Sequence, residues 1–350
     1  MNGFLSGIGE FGAIDHIKSM CGSPGRGVVG IGDDAAIFKV SPGMAALVTT
    51  DMLVEGVHFD LTYTGFEVLG YKSAAVNLSD IAAMGGRPRF YLVSAALRPR
   101  MRLEELEGFY RGLESACRPF GVRLIGGDTT SSFGSSCGSP YGSSAGGSTG
   151  PLVISVTIIG EAYPGRAVKR TGAKVGDDIY VTGSLGDSAC GLAILKARGT
   201  EGLNKDETRL AARHLRPSPR IRAGRLLGEA RLASAMIDIS DGLSSDLGHI
   251  LEQSGVGAVV YKDRLPISGD LMQTAGIKKA VQFALHGGED YELLFTARPS
   301  CRKKIAALQE KAGVSFTSIG NITAEDGALL VDEKGQGRAL RPSGYEHFRK

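Results

Sequence analysis

The order of apolar and polar positions divides the chain into short strands and amphipathic helices. Ala45–Thr50 reads as a strand that stops on Asp51, and Arg89–Leu97, Val122–Ile125 and Leu152–Ile159 read as three more. The last is almost continuously apolar, which predicts burial on both faces. Helical spacing marks Gly9–Ile17, Phe66–Met84 and Leu103–Phe120. In the second of these Leu69, Ala75, Leu78 and Ile81 are available to a core; in the third Leu103, Leu106, Tyr110, Leu113, Cys117 and Phe120 recur on one side. After Pro164–Gly165 the alternation resumes. Asp178–Thr182, Ala235–Ile239, Val256–Tyr261, Tyr291–Thr296, Phe316–Ile319 and Ala328–Val331 read as strands. Ser188–Ala197, Ile221–Ala230, Leu243–Gln253 and Arg302–Ala312 read as helices.

This order predicts an α/β (α+β) fold. A chain of 350 residues is too long for one compact core, so two mixed domains are expected, at 1–162 and 163–350. Ser131–Gly150 breaks the pattern. It is Gly/Ser-rich, with too little apolar surface to offset its ordering entropy, and is expected to be a flexible insert dispensable for activity.

A formal charge of +3 with no basic or basic-aromatic run gives no electrostatic reason to expect nucleic acid or membrane as a partner. The five cysteines are scattered and never form C-x-x-C, which points to reduced thiols rather than a disulfide frame or zinc site. No stretch is apolar enough to span a bilayer and no signal pattern opens the chain, so a cytoplasmic location is expected.

Five segments share one grammar. GIGDD (30–34), VTTDMLVEGVHF (48–59), NLSDIAAMGG (77–86), GGDTT (126–130) and IDISDG (237–242) each set Asp beside Gly, Ser or Thr at the edge of an apolar run. Any one of these aspartates read alone is a helix cap or turn former. Together they suit a magnesium–phosphate site, which needs hard carboxylate oxygens for the metal and glycine where backbone approaches the ligand. Converging carboxylates repel unless cations neutralise them, so several Mg²⁺ ions are expected. Other nucleotide devices are missing. Gly160–Ala167 (GEAYPGRA) lacks the Lys and Ser/Thr of a P-loop, and H-R-D and D-F-G do not occur. Gly25–Gly30 matches G-x-G-x-x-G by letter, but no clear strand precedes it and a strand-like run, Ala35–Val40, follows where a dinucleotide fold needs a helix.

These segments, with GEFGAIDHI, YKSAAVNLSDIAAMG, RTGAKVGDDIYVTGSLGDSACGLAIL, HLRPSPR, HGGEDYELLF and SGYEHF in order, closely resemble the thiamine-monophosphate kinase family. That family sits in the superfamily that includes aminoimidazole ribonucleotide synthetase. The resemblance implies an N-terminal α/β domain whose sheet joins that of a partner in a homodimer, and a C-terminal α/β domain covering the nucleotide. It implies transfer of the ATP γ-phosphoryl group onto thiamine monophosphate, the last step of thiamine diphosphate biosynthesis. By motif, Asp34, Thr49, Thr50, Asp51, Asp80, Asp128, Asp238 and Asp241 would hold magnesium, with Asp34, Asp51, Asp128 and Asp241 closest to the chemistry. Tyr110, Gly127, Asp128, Arg170 and Ser240 would contact ATP, and His58, Glu289 and Tyr345 the thiamine side.

Read without the family, His58 satisfies a turn, Tyr110 is core, and GGEDYE is a solvated acidic turn. Gly183–Gly191 (GSLGDSACG) reads as a tight strand-to-helix turn with Asp187 near the helix start, structural rather than catalytic. The insert after Thr130 departs from the family pattern. A selenophosphate-synthetase relative is disfavoured because no Lys follows Cys21 closely; a non-catalytic nucleotide binder is disfavoured by the complete aspartate set.

Overall fold

The computed structural model describes residues 4–32, 34–132 and 150–344. Asp33, Tyr345 and almost all of the Gly/Ser insert lie outside the described residues. The chain forms two compact units, one of Met1–Pro42, Val48–Asn77 and Pro88–Gly160, the other of Gly43–Leu47, Leu78–Arg87 and Glu161–Lys350.

The first unit holds α1 (Leu5–Cys21), most of β1 (Ala45–Val54), α2 (Phe66–Ala83) as far as Asn77, nearly all of β2 (Arg87–Leu97), α3 (Leu103–Cys117), β3 (Arg123–Ser131) and most of β4 (Val153–Ala162), the remaining ends of these elements belonging to the second unit. Its sheet runs β1-β4-β2-β3, with β2 and β3 parallel and Ser94 opposite Asp128. Leu106, Tyr110, Leu113 and Cys117 are buried, as their spacing predicts, and Phe109 joins them, whereas Leu103 and Phe120 at the two ends of the predicted helix are half-buried. The helices α2 and α3 meet backbone to backbone. A Cβ added at Gly70 would lie 1.9 Å from the Phe109 carbonyl oxygen, and one at Gly112 would lie 1.9 Å from that of Glu67. Gly112→Ala is therefore expected to force the pair apart and lower stability by about 1–3 kcal/mol. A denaturant titration would check this, with Gly121→Ala, whose Cβ meets nothing within 4 Å but whose φ of 70° carries its own strain, as the milder comparison.

Two strands run past their predicted ends. Period-two alternation continues beyond Asp51 through Leu53, so Asp51 lies inside β1, half-buried, rather than closing it. Likewise β3 continues through GGDTT, because Gly127 presses against β2, where a Cβ would come within 1.9 Å of the Val93 carbonyl oxygen. Ala35–Val40 is not a strand; among the described residues it offers only a single bridge, Val29 to Ile37.

The second unit contains β5 (Asp178–Thr182), α4 (Asp187–Arg198), α5 (Lys205–Leu215), α6 (Ile221–Glu229), β6 (Ala235–Asp238) and α7 (Leu243–Ser254). It continues with β7 (Gly257–Tyr261), α8 (Gly269–His286), β8 (Leu293–Ala297), α9 (Arg302–Ala312), β9 (Phe316–Thr323), β10 (Gly327–Val331) and β11 (Gly337–Ala339). The sheet order is β11-β10-β7-β9-β5-β8-β6, with β10 and β7 parallel. Ile179, Val181, Ile237, Leu247, Leu294 and Ile319 form its core. Sequence periodicity misses α5 and α8. Polar residues dominate α5, which starts from a capping box in which Asn204 accepts from the backbone of Glu207 and Glu207 accepts from that of Asn204. Gly276, at φ 73°, kinks α8 and shifts its apolar stripe.

Candidate active site

In the second unit, β6 ends on buried Asp238 and hands over to the loop Ile239–Gly242, from which α7 springs. The backbone N–H groups of Ser240, Asp241 and Gly242 all donate to one oxygen of Asp246, each at 3.1 Å. This fixes the loop that carries Asp241. The Ser79 hydroxyl donates to Asp238 at 2.6 Å, which ties the end of α2, and Asp80 with it, to the end of β6. Asp241, Asp246 and His249 offer ligand atoms within 4.8 Å of one another. Burial pushes the Asp246 carboxyl up to about 7, with the Asp241 charge adding to it, against the pull of the three N–H donors. Two carboxylates that oppose each other's ionisation, beside an imidazole, fit a bound cation. Neither Asp246 nor His249 stands out in the sequence. The first reads as a first-turn helix aspartate and the second as a lone histidine.

In the first unit, Tyr110, Gly127, Asp128, Ile14 and Ile17 line one small cavity of about 90 Å³. Tyr110 is buried, as its helical spacing predicts, and still presents itself to this cavity; burial raises its phenol further above the ordinary tyrosine range. Thr49 and Asp51 are half-buried on β1, while Asp34 and Asp128 are exposed. The Thr50 hydroxyl accepts from that of Thr157 at 3.0 Å and donates to the Val156 carbonyl at 3.3 Å. His58 folds back on the strand end, where its Nδ1 accepts the Val54 N–H at 3.0 Å. The turn-satisfying role is thus present, and it places the ring proton on Nε2. Arg170, in the second unit, is exposed.

Three loops of the second unit interlock around Glu289. Its backbone N–H donates to the Ser240 carbonyl at 2.7 Å, and that of Tyr291 to Ile239 at 2.9 Å. Glu289 and Tyr291 hold φ of 65° and 51°, left-handed values costly for non-glycine residues and found where surrounding structure over-determines the backbone. This is why β8 begins at Leu293, two residues later than predicted. Glu292 has no exposed side-chain surface; it accepts from Thr182 at 2.6 Å, Arg213 at 2.7 Å and Arg220 Nε at 2.6 Å. Burial alone would raise its carboxyl, but Arg220 and Arg213 outweigh that and hold it below the usual range. Asp290 accepts from the N–H groups of Gly186 at 2.6 Å and Ser188 at 3.2 Å, at the start of α4. GGEDYE is therefore not a solvated turn. Asp187 accepts from Ser184 and Ser268, each at 2.6 Å, as befits a structural residue.

Burial pushes the Asp290 carboxyl up to about 8, from 3.8 for an ordinary aspartate. Between those values the native chain binds a proton that the unfolded chain has released, so this group's contribution falls as pH rises from about 4 to about 8. Thermal midpoints of the metal-free protein are expected to decline across that window, and less steeply in Asp290→Asn.

Family models for the AIR synthase related protein match this chain in series, the N-terminal domain over residues 32–162 and the C-terminal domain over 174–332. Fold and site together define a member of that class. Thiamine-monophosphate kinase of Salmonella typhimurium is 42% identical over 319 residues, covering 91% of either chain. The crystal structure of thiamine-monophosphate kinase from Stenotrophomonas maltophilia K279a matches with a TM-score of 0.80 at 37% identity, over 95% of this chain and 98% of that one. A structure of AaThiL complexed with AMPPCP and TMP matches with a TM-score of 0.73 at 34% identity, over 98% of both chains. The chain belongs to the thiamine-monophosphate kinases.

Proposed function

We propose that the chain transfers the γ-phosphoryl group of ATP onto thiamine monophosphate, giving thiamine diphosphate and ADP. The observation that carries this reading is full-length similarity to enzymes of that activity, spanning both units. The nucleophile is a phosphate oxygen already ionised at neutral pH, so the protein has no base to supply; its task is positioning and charge neutralisation.

Asp34, Thr49, Thr50, Asp51, Asp80, Asp128, Asp238 and Asp241 would hold Mg²⁺, with Asp246 and His249 beside Asp241. When bound, the ions supply neutralisation of two anionic phosphates that otherwise repel. Tyr110, Gly127 and Asp128 around their cavity, with Ser240 and the Arg170 guanidinium, would hold ATP. His58, through Nε2–H, Glu289 and Tyr345 would face thiamine monophosphate. The chain would act as a cytoplasmic homodimer with no nucleic-acid or membrane partner. Support for the dimer comes from β1, an edge strand on which Val48 and Met52 point outward. Among the described residues, no helix is long and apolar enough to cross a membrane.

The test is chromatographic, with purified protein, ATP, Mg²⁺ and thiamine monophosphate. Thiamine diphosphate and ADP in equal amounts, abolished by EDTA, are expected. Bound ATP with no diphosphate formed, or turnover only on an aminoimidazole-pathway substrate, would overturn the reading.

A further inference from the structure

The last turn of α5 ends in two consecutive basic residues, Arg213 and His214, and both reach the same loop. Arg213 pairs with Glu292 at 2.7 Å. His214, almost fully buried, sets Nδ1 3.2 Å from Glu289 Oε2 and 3.2 Å from the Ser188 hydroxyl oxygen. An ionised carboxylate only accepts, so the Nδ1 facing it carries the proton. Around Glu289 the backbone is fixed: its N–H is held by Ser240, and a Cβ at Gly288 would lie 2.5 Å from the Ser240 carbonyl oxygen. On the other side, Asp290 is anchored to Gly186 and Ser188. What this leaves to be set is the direction of the Glu289 side chain, which keeps about a quarter of its surface open, at 28%.

We propose that His214 is a positioning residue that aims the Glu289 carboxylate at the amino-bearing pyrimidine ring of thiamine monophosphate. The inference rests on the reading above that Glu289 lies on the substrate side. A flexible glutamate loses side-chain freedom when it engages a ligand. One already held from behind by a buried imidazole loses less, and the difference appears as substrate affinity. Arg213 and His214 thus make the end of α5 a brace, in which one residue holds the loop through Glu292 and the next sets the carboxylate that the loop presents.

The experiment is steady-state kinetics with each substrate varied in turn. His214→Phe keeps ring volume and removes the donor. His214→Asn places an amide N–H near the Nδ1 position and should restore it. His214→Gln, whose amide reaches the Nε2 position instead, serves where the Phe variant folds poorly and should behave like it. Loss of the donor is expected to raise KM for thiamine monophosphate about tenfold, with kcat and the KM for ATP within about twofold and the Asn variant near wild type. An unchanged KM for thiamine monophosphate, equal rises for both substrates, or no restoration by Asn would overturn the inference. Glu289→Gln separates the two levels. If it raises that KM while the His214 variants do not, the inference alone fails; if it leaves that KM unchanged, the reading of Glu289 fails and takes the inference with it.

Discussion

Asp51→Asn is expected to lower kcat by about 10²–10³-fold, the scale on which removing one preorganised electrostatic group acts. The substitution isolates charge from shape. Asp51 sits half-buried inside β1, where backbone pairing holds the residue whatever its side chain, and asparagine matches aspartate in volume. The fold should therefore survive while one carboxylate proposed to hold Mg²⁺ loses its charge. The Mg²⁺ concentration giving half-maximal rate should rise alongside the fall in kcat, and both are read from one titration followed by product chromatography. Asp60→Asn is the matched control. That aspartate accepts the Thr62 N–H at 2.8 Å in the turn after β1, and its loss should cost a little stability and no turnover. If the two variants behave alike, Asp51 is not a metal ligand.

The largest effect on stability is expected at Glu292. Replacing it with glutamine removes the charge that compensates Arg213 and Arg220, in a place where the carboxylate has no exposed surface. Breaking such a pair from one side costs about 3–5 kcal/mol, because the partners' charges stay behind without their match. Arg213→Gln should cost less, since Arg220 and the Thr182 hydroxyl still serve Glu292. The ranking, measured by denaturant unfolding, is the test; equal losses would mean that the carboxylate is not the centre of the network. Because β5, the end of α5, the start of α6 and the Glu289 loop all meet at this carboxylate, the glutamine variant should also lose activity beyond its loss of folded protein.

Much of this was legible from sequence. Strands with strong apolar runs, such as β4 and β5, lie close to where those runs place them, although β4 alternates buried and half-buried positions over most of its length instead of burying both faces, and the aspartate segments stand out because one grammar recurs five times. What was hidden has specific causes. The sequence places strand ends at Asp51, where a carboxylate looks like a stop, and at Ile125, where two glycines follow, whereas the ladder uses backbone groups alone and continues through both. Helix α5 shows no apolar majority, although its Asn204–Glu207 capping box was available as a signal. The Glu292 network joins residues 72 and 79 positions apart, a separation across which no local pattern carries information. Within HLRPSPR and HGGEDYEL, the only hint of it was complementary charge.

The loop Ser240–Gly242 carries a further consequence. Three successive N–H groups converging on one point make an anion hole of the kind other nucleotide-binding folds leave open for a phosphate. Here an oxygen of Asp246 already occupies it, whatever that carboxyl's charge. The chain carries its own competitor for the phosphate, so these three N–H groups are already engaged and leave Ser240 its hydroxyl to offer a nucleotide. Under the proposed function, the neutralisation that this loop does not give would then fall to Mg²⁺ and to the Arg170 guanidinium.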